Sequence, residues 1–485
     1  MFQLTFYKKF VAAGALFIFA LIAALLLDNF WWMILPFFWL LAPLAFDALV
    51  HKTSSLFYLL LFFLPLSTEF NFTPSLGLDL PDELLLISLT AIVFLLVIYK
   101  PSVFPLSVLK HPLFFILILH IFWILISCLV STSPLLSLKF LAAKIWYVVP
   151  FVLIPLMLNP GIKQFKTIAY LLLLPMLFVV LQSLARHAIH NFSFEGVKET
   201  LSPFFRNHVT YSAMLVCLIP VLAAARKNLN QQKKFLGNIC LFIAFAGVVF
   251  AYSRGAWLAL LVGLIAAFIF HYRLLKPVLL VLITVIVVTG IWLGSNKNYL
   301  RFSHDYNTTI FHQNIGEHLQ ASVKLKDVSN AERFYRWVAA TNMIAEKPIT
   351  GFGPNTFYPT YKSYTEKPFK TWVSDNPEHS TVHNYFLLIF IEQGLPGLLL
   401  FSFLLIGMLF NCQRLYHSFK TFFYKKTALV IGVVLTMIAF LLCSSDLLET
   451  DKIGSLFWLS LGLIFVLQTK LEQEKNLLNY TEHSG

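Results

Sequence analysis

The sequence predicts an all-α polytopic membrane protein of about 12–14 transmembrane helices with one large helical loop outside the membrane. Two observations carry that fold class. Of the 485 residues, 58% are hydrophobic and only 12% charged, with a mean hydropathy of +0.77, whereas soluble domains are about 25% charged. The apolar residues also run continuously for ~18–20 positions instead of alternating, which suits spanning helices and excludes a transmembrane β-barrel. Fifty phenylalanines and ten tryptophans need an apolar solvent, and a bilayer supplies it.

In chain order the apolar runs fall near residues 10–27, 30–48, 54–67, 83–99, 114–130, 141–158, 167–186, 209–225, 237–253, 256–270 and 277–294. After a long polar stretch they resume at 384–411, 427–445 and 453–468. This divides the chain into an N-terminal transmembrane bundle (1–294), a loop subdomain (295–383), C-terminal transmembrane helices (384–470) and a polar tail (471–485), expected to fray. Lys8-Lys9 precedes the first apolar run without a small-residue cleavage site, so that run reads as a retained span. Proline inside runs, at Pro36, Pro43, Pro150, Pro155, Pro175 and Pro220, reads as kinks.

The formal charge of +13 is no nucleic-acid signal, because the basic residues occupy short connections between apolar runs. Lys52, Lys100/Lys110, Lys163/Lys166, Arg226/Lys227/Lys233/Lys234, Arg273/Lys276, Arg414/Lys420/Lys425/Lys426 and Lys470/Lys475 fall on alternate connections. The positive-inside rule makes those cytoplasmic, with both termini inside. The connections 68–82 and 187–208 and the 295–383 loop then face outward. Asp79, Asp82 and Glu83 open a span at its outer end, where carboxylates suit a helix N-terminus. The five cysteines lie in or beside apolar runs, so neither a disulfide nor a cysteine metal site is expected in the loop.

The loop has its own helical pattern. Ser329-Asn330-Ala331-Glu332 reads as a capping box, and Phe334, Trp337, Val338, Thr341 and Ala345 share one face of a helix that ends at Lys347-Pro348. Gly351-Phe352-Gly353-Pro354-Asn355 and Asp375-Asn376-Pro377 read as turns. Phe357, Tyr358, Tyr361, Tyr364 and Trp372 suit either interfacial packing or stacking on sugar rings.

Outward-facing arginines run against the insertion bias and need a reason. Arg254 lies in the tight connection Ser253-Arg254-Gly255-Ala256-Trp257, Arg206 at the mouth of the span beginning near 209, and Arg333 and Arg336 on the loop helix, where Arg336 is expected to point toward water. Guanidinium forks facing one vestibule would suit a diphosphate; the alternatives are snorkelling to headgroups or pairing with a loop carboxylate. His383, at the threshold of the run 384–411, is the candidate base; the alternative is a plain helix cap. His379 gives a zinc-like spacing with His383 but no third ligand is convincing, so no metal and no cofactor is expected. Glu392 sits about 13 Å along a helix from His383, too far to be its partner, and is expected to pair with a neighbouring helix. A multispan transporter or lipid flippase would need ionisable groups at mid-membrane depth, whereas the polar candidates here lie at span ends.

Together these residues resemble the O-antigen ligase / O-antigen polymerase superfamily of bacterial envelope glycosyltransferases. His383-Asn384, nine residues, then Gly394-Leu395-Pro396-Gly397 is similar to its His-[Asn/Ser/Gln]-x9-Gly-x-x-Gly signature. Ser253-Arg254-Gly255 resembles its Ser-Arg-Gly turn, and Arg333-x-x-x-Trp337 with Glu346-Lys347-Pro348-Ile349-Thr350-Gly351-Phe352-Gly353-Pro354 resembles its Arg-x-x-x-Trp…His-Pro-Leu-x-Gly-x-Gly block, with Lys347 in place of the histidine. The likeness covers about Arg206 to Gly397, while the first 200 residues match in hydropathy alone. It implies metal-independent, inverting glycosyl transfer at the periplasmic side of the bacterial inner membrane. The donor would be a glycan on undecaprenyl diphosphate; the acceptor would be lipid A–core for a ligase, or another lipid-linked glycan for a polymerase. By the same resemblance His383 is catalytic and Arg254 and Arg333 bind the diphosphate, with Arg206 and Arg336 as further substrate-binding candidates.

Overall fold

A computed structural model describes residues 52–483 apart from 74–75, 100, 228, 296–297, 299–327, 371–373 and 375–379. The first two expected spans, the Asp375-Asn376-Pro377 turn and His379 therefore lie outside the described residues. A short helix α1 (Thr53–Phe63) leads into a hairpin of β1 (Thr68–Thr73) and β2 (Leu76–Leu80). Eleven described helices are long and apolar enough to cross a membrane, counting the last as far as Leu477. They are α2 (Asp82–Tyr99), α3 (Pro112–Leu129), α4 (Pro134–Leu158), α5 (Ile162–Ile189), α6 (His208–Lys227), α7 (Gln231–Phe250), α8 (Arg254–His271), α9 (Leu275–Gly294), α11 (Tyr385–Ser418), α12 (Phe422–Leu442) and α13 (Asp451–His483), with the loop helix α10 (Val328–Glu346) between the last two groups. The chain is an all-α polytopic membrane protein, as composition predicted.

Helices form because no water in a bilayer can satisfy exposed peptide groups. Their ends are finished individually. The His111 ring accepts from Leu113 N at 3.2 Å with Pro112 in the first turn of α3, and Asn384 Oδ1 accepts from Leu387 N at 3.1 Å to open α11. Pro150, Pro155, Pro175 and Pro220 sit inside helices, as expected of membrane spans.

The bundle is organised around α13. Its spanning part is 94% buried, while none of the corresponding window of α9 is buried, so α13 is the central post and α9 presents its apolar face outward. Small residues let the post approach its neighbours: a side chain at Gly462 would collide with the Phe151 carbonyl of α4, the close-packed arrangement common between membrane helices.

One expectation is corrected here. The tail from 471 does not fray but continues α13 to His483. Glu474 explains part of that order, since its carboxylate accepts from Thr421 N (2.8 Å), Thr421 Oγ1 (2.7 Å) and Lys420 N (3.3 Å) and so caps α12 across the bundle. The connection 68–82, whose local structure the sequence reading left unstated, forms an antiparallel hairpin in which Glu69 opposes Asp79. Phe70 and Phe72 alternating with polar residues were the available signal.

Candidate active site

The site is built on a break in α11. At Gly394 the backbone takes φ 67° and ψ −172°, so two helical stretches meet across a kink. Such a conformation favours glycine. The interruption frees carbonyls that must be re-satisfied, and the loop satisfies them: Phe352 N donates to Ile391 O and Gly353 N to Glu392 O, both at 2.9 Å, while Leu395 N donates to Pro348 O at 2.8 Å. The Trp123 indole of α3 takes the Gln393 carbonyl at 2.7 Å. A Cβ on Gly351 would lie 2.5 Å from the Glu392 carbonyl carbon, and one on Gly394 would overlap the Ile349 carbonyl. Gly351 and Gly353 of the loop and Gly394 of the helix therefore belong to one joint, made main chain to main chain.

Glu392 belongs to this joint. It is 4% exposed and accepts from Phe357 N at 3.1 Å, which corrects the expected pairing with another helix: its partner is loop backbone.

The loop helix α10 then places His383. Trp337 Nε1 donates to Val382 O at 3.0 Å and Arg336 Nη1 to Thr381 O at 3.2 Å, so the two residues preceding His383 hang from one face of α10. His383 itself has φ 52°, a left-handed conformation held by its surroundings. Burial, then the Arg336 and Arg333 charges, lower its pKa from 6.5 to about 4. The imidazole is neutral at physiological pH, with an acceptor nitrogen available.

Of the candidate arginines, Arg333 and Arg336 are thus brought to His383. Arg336 does not point to water. It is 5% exposed, paired with Glu332 at 3.2 Å, and Glu332 also accepts from Ser374 Oγ at 2.5 Å. The helical wheel misplaced it because the segment around Ser374 and Thr381 folds over that side of α10. Arg254 is half-buried at the first residue of α8. Beside it, a Cβ on Gly255 would lie 3.8 Å from Leu441, in the last turn of α12, so Arg254 sits at the same end of the bundle as His383. Arg206 is engaged elsewhere: it binds Glu69 at 2.7 Å and Asp79 at 3.0 Å. Opposed like charges destabilise a hairpin, and Arg206 is their counter-ion.

One cluster went unread in the sequence. Lys144, inside the apolar run of α4, is 4% exposed and bonds both oxygens of Glu449 at 2.7 Å. Tyr385 Oη donates to the same carboxylate at 2.5 Å. The three pin the first residue of α11, two positions from His383. A lysine within an otherwise apolar run was the signal. Two of the loop aromatics are packed inside: Phe357 and Tyr361 stack at 4.9 Å and are 1% and 0% exposed, which favours packing over sugar stacking for them, while Tyr358 and Tyr364 are partly buried and Trp372 lies outside the described residues.

Residues 239–402 match the family model for O-antigen ligase. This places the segment in the O-antigen ligase/polymerase superfamily. The match runs from α7 through the break in α11, taking in Arg254, Arg333, Arg336, His383 and both glycine pairs, and leaving Arg206 and the hairpin outside. No curated protein matches the chain. The superfamily implies a glycosyl-transferring enzyme acting on lipid-linked glycans at a membrane.

Proposed function

We propose that the protein is an O-antigen ligase-like glycosyltransferase that moves a glycan from undecaprenyl diphosphate to a sugar hydroxyl of lipid A–core, on the periplasmic side of the bacterial inner membrane, inverting and without a metal. The observation that carries the reading is a neutral histidine fixed at a loop-to-membrane junction with two guanidinium charges acting on it. His383 takes the proton of the acceptor hydroxyl, and that oxygen bonds to the anomeric carbon. The bond from that carbon to the diphosphate breaks with its electron pair staying on the diphosphate, whose growing charge Arg254 and Arg333 stabilise. Arg336, committed to Glu332 and Thr381, acts by positioning His383. Arg206 acts by holding the hairpin.

The low basicity of His383 fits this scheme. Burial depresses it most, and the Arg336 and Arg333 charges depress it further; an incoming diphosphate offsets the charge part and raises the imidazole above its value in the free site. Donor binding thereby readies the base. In a strain lacking its ligase, the wild-type chain should restore long-chain lipopolysaccharide on a gel and His383→Ala should not. Retained ligation by His383→Ala sinks the mechanism, and accumulation of single-repeat lipopolysaccharide on deletion of this protein assigns it to polymerisation instead.

A further inference from the structure

At the end of the bundle opposite His383, four helices leave space between them. The cavity holds about 440 Å³ and is walled by one stretch each of α5, α6, α12 and α13, through residues such as Ile168, Val221, Val434 and Leu459. Ala223 and Ala225 present short side chains to its wall. Three lysines line the same cavity: Lys166, Lys227 and Lys426.

The placement follows from the helices. Helix α6 begins at His208, beside Arg206 and the hairpin, and ends at Lys227, about 28 Å away at 1.5 Å per residue. Helix α12 meets Gly255 at Leu441, and Lys426 is about 22 Å back along it by the same rise. Among the described residues none of the three lysines is in a salt bridge. Lys166 and Lys426 instead lie over the rings of Phe423 and Phe422, at 6.0 and 5.4 Å from the centroids. Apolar walls beneath a cationic rim match a molecule with a hydrocarbon chain and an anionic head.

We propose that this groove binds an anionic phospholipid of the leaflet opposite the active site, with an acyl chain between α5, α6, α12 and α13 and the phosphate among Lys166, Lys227 and Lys426. A basic rim between membrane helices is the form such headgroup sites take. A zwitterionic lipid brings its own cation to the rim and loses the advantage. A partner helix could fill the walls but gives three lysines no counter-charge.

The test uses the full chain in bilayer discs of equal parts phosphatidylglycerol and phosphatidylcholine, released into detergent and weighed intact by mass spectrometry. One phosphatidylglycerol adduct should persist on the wild type. The Lys166→Gln/Lys227→Gln/Lys426→Gln variant should lose it while melting as the wild type does, and the corresponding triple arginine variant should keep it. Ala223→Phe, which fills the wall and spares the rim, should also lose it. Equal retention of phosphatidylcholine, or an adduct that survives either the glutamine variant or Ala223→Phe, overturns the site. Such a failure leaves the glycosyl-transfer reading untouched, because the groove and His383 lie at opposite ends.

Discussion

At the residue scale, His383 makes a definite statement about pH. Its pKa of about 4 in the fold lies below the ordinary 6.5, so between those values the unfolded chain binds more protons than the folded one. Its contribution to stability is full above 6.5 and falls as pH drops toward 4. In kinetics, kcat/KM reports the free enzyme and kcat the loaded one. The acid limb of kcat/KM for the donor should therefore sit near 4, and that of kcat at higher pH, because the bound diphosphate offsets the arginines. Coincident limbs would contradict a donor-readied base. Arg336→Gln should move the kcat/KM limb up toward 6.5, with Arg333→Gln as the check should the first variant fold poorly. Sequence alone picked out His383 because a histidine before an apolar run with that glycine spacing is distinctive. It misread Arg336, since whether a loop returns over a helix face depends on contacts some forty residues away, with Ser374 and Thr381.

At the element scale, the joint between the loop and α11 is the part most sensitive to substitution. Gly394→Ala forces a side chain into the Ile349 carbonyl at a positive φ, and the backbone strain alone is about 1–3 kcal/mol. The variant should insert normally yet show faster proteolysis within residues 350–370 and little glycan transfer. Gly290→Ala in α9, where a Cβ meets nothing within 4 Å, should be neutral or stabilise by about 0.5–1 kcal/mol. Equal behaviour of the two would refute the joint. Most helix limits were legible because hydropathy marks them, the apolar run 114–130 becoming α3 at Pro112–Leu129; the polar end of α13 was not. The joint was not, because its partners are carbonyls and amides, and only the glycines show in the sequence. Lys144 and Glu449 were invisible as a pair for a related reason: 305 positions separate them.

At the scale of the whole molecule, the alternating basic connections predict which side each end faces. In a background with the five cysteines replaced, Lys362→Cys should react with a membrane-impermeant maleimide in intact spheroplasts. Lys233→Cys should react only after permeabilisation, and the reverse pattern would invert the orientation and move His383 to the cytoplasm. Hydropathy carried the order of the described spans, since each needs only its own composition. It could not show that α13 is the buried post and α9 an outer helix, because both are apolar and differ in what surrounds them.

The main-chain joint has a bearing on how such enzymes diversify. Because amides and carbonyls do the gripping, exposed side chains such as Ile349 can drift without loosening it, provided the glycines remain. Beyond Tyr361, the exposed positions Lys362 and Ser363 are then exchangeable on a fixed hinge plate. A lineage can exchange that exposed surface while His383 keeps its position relative to the joint.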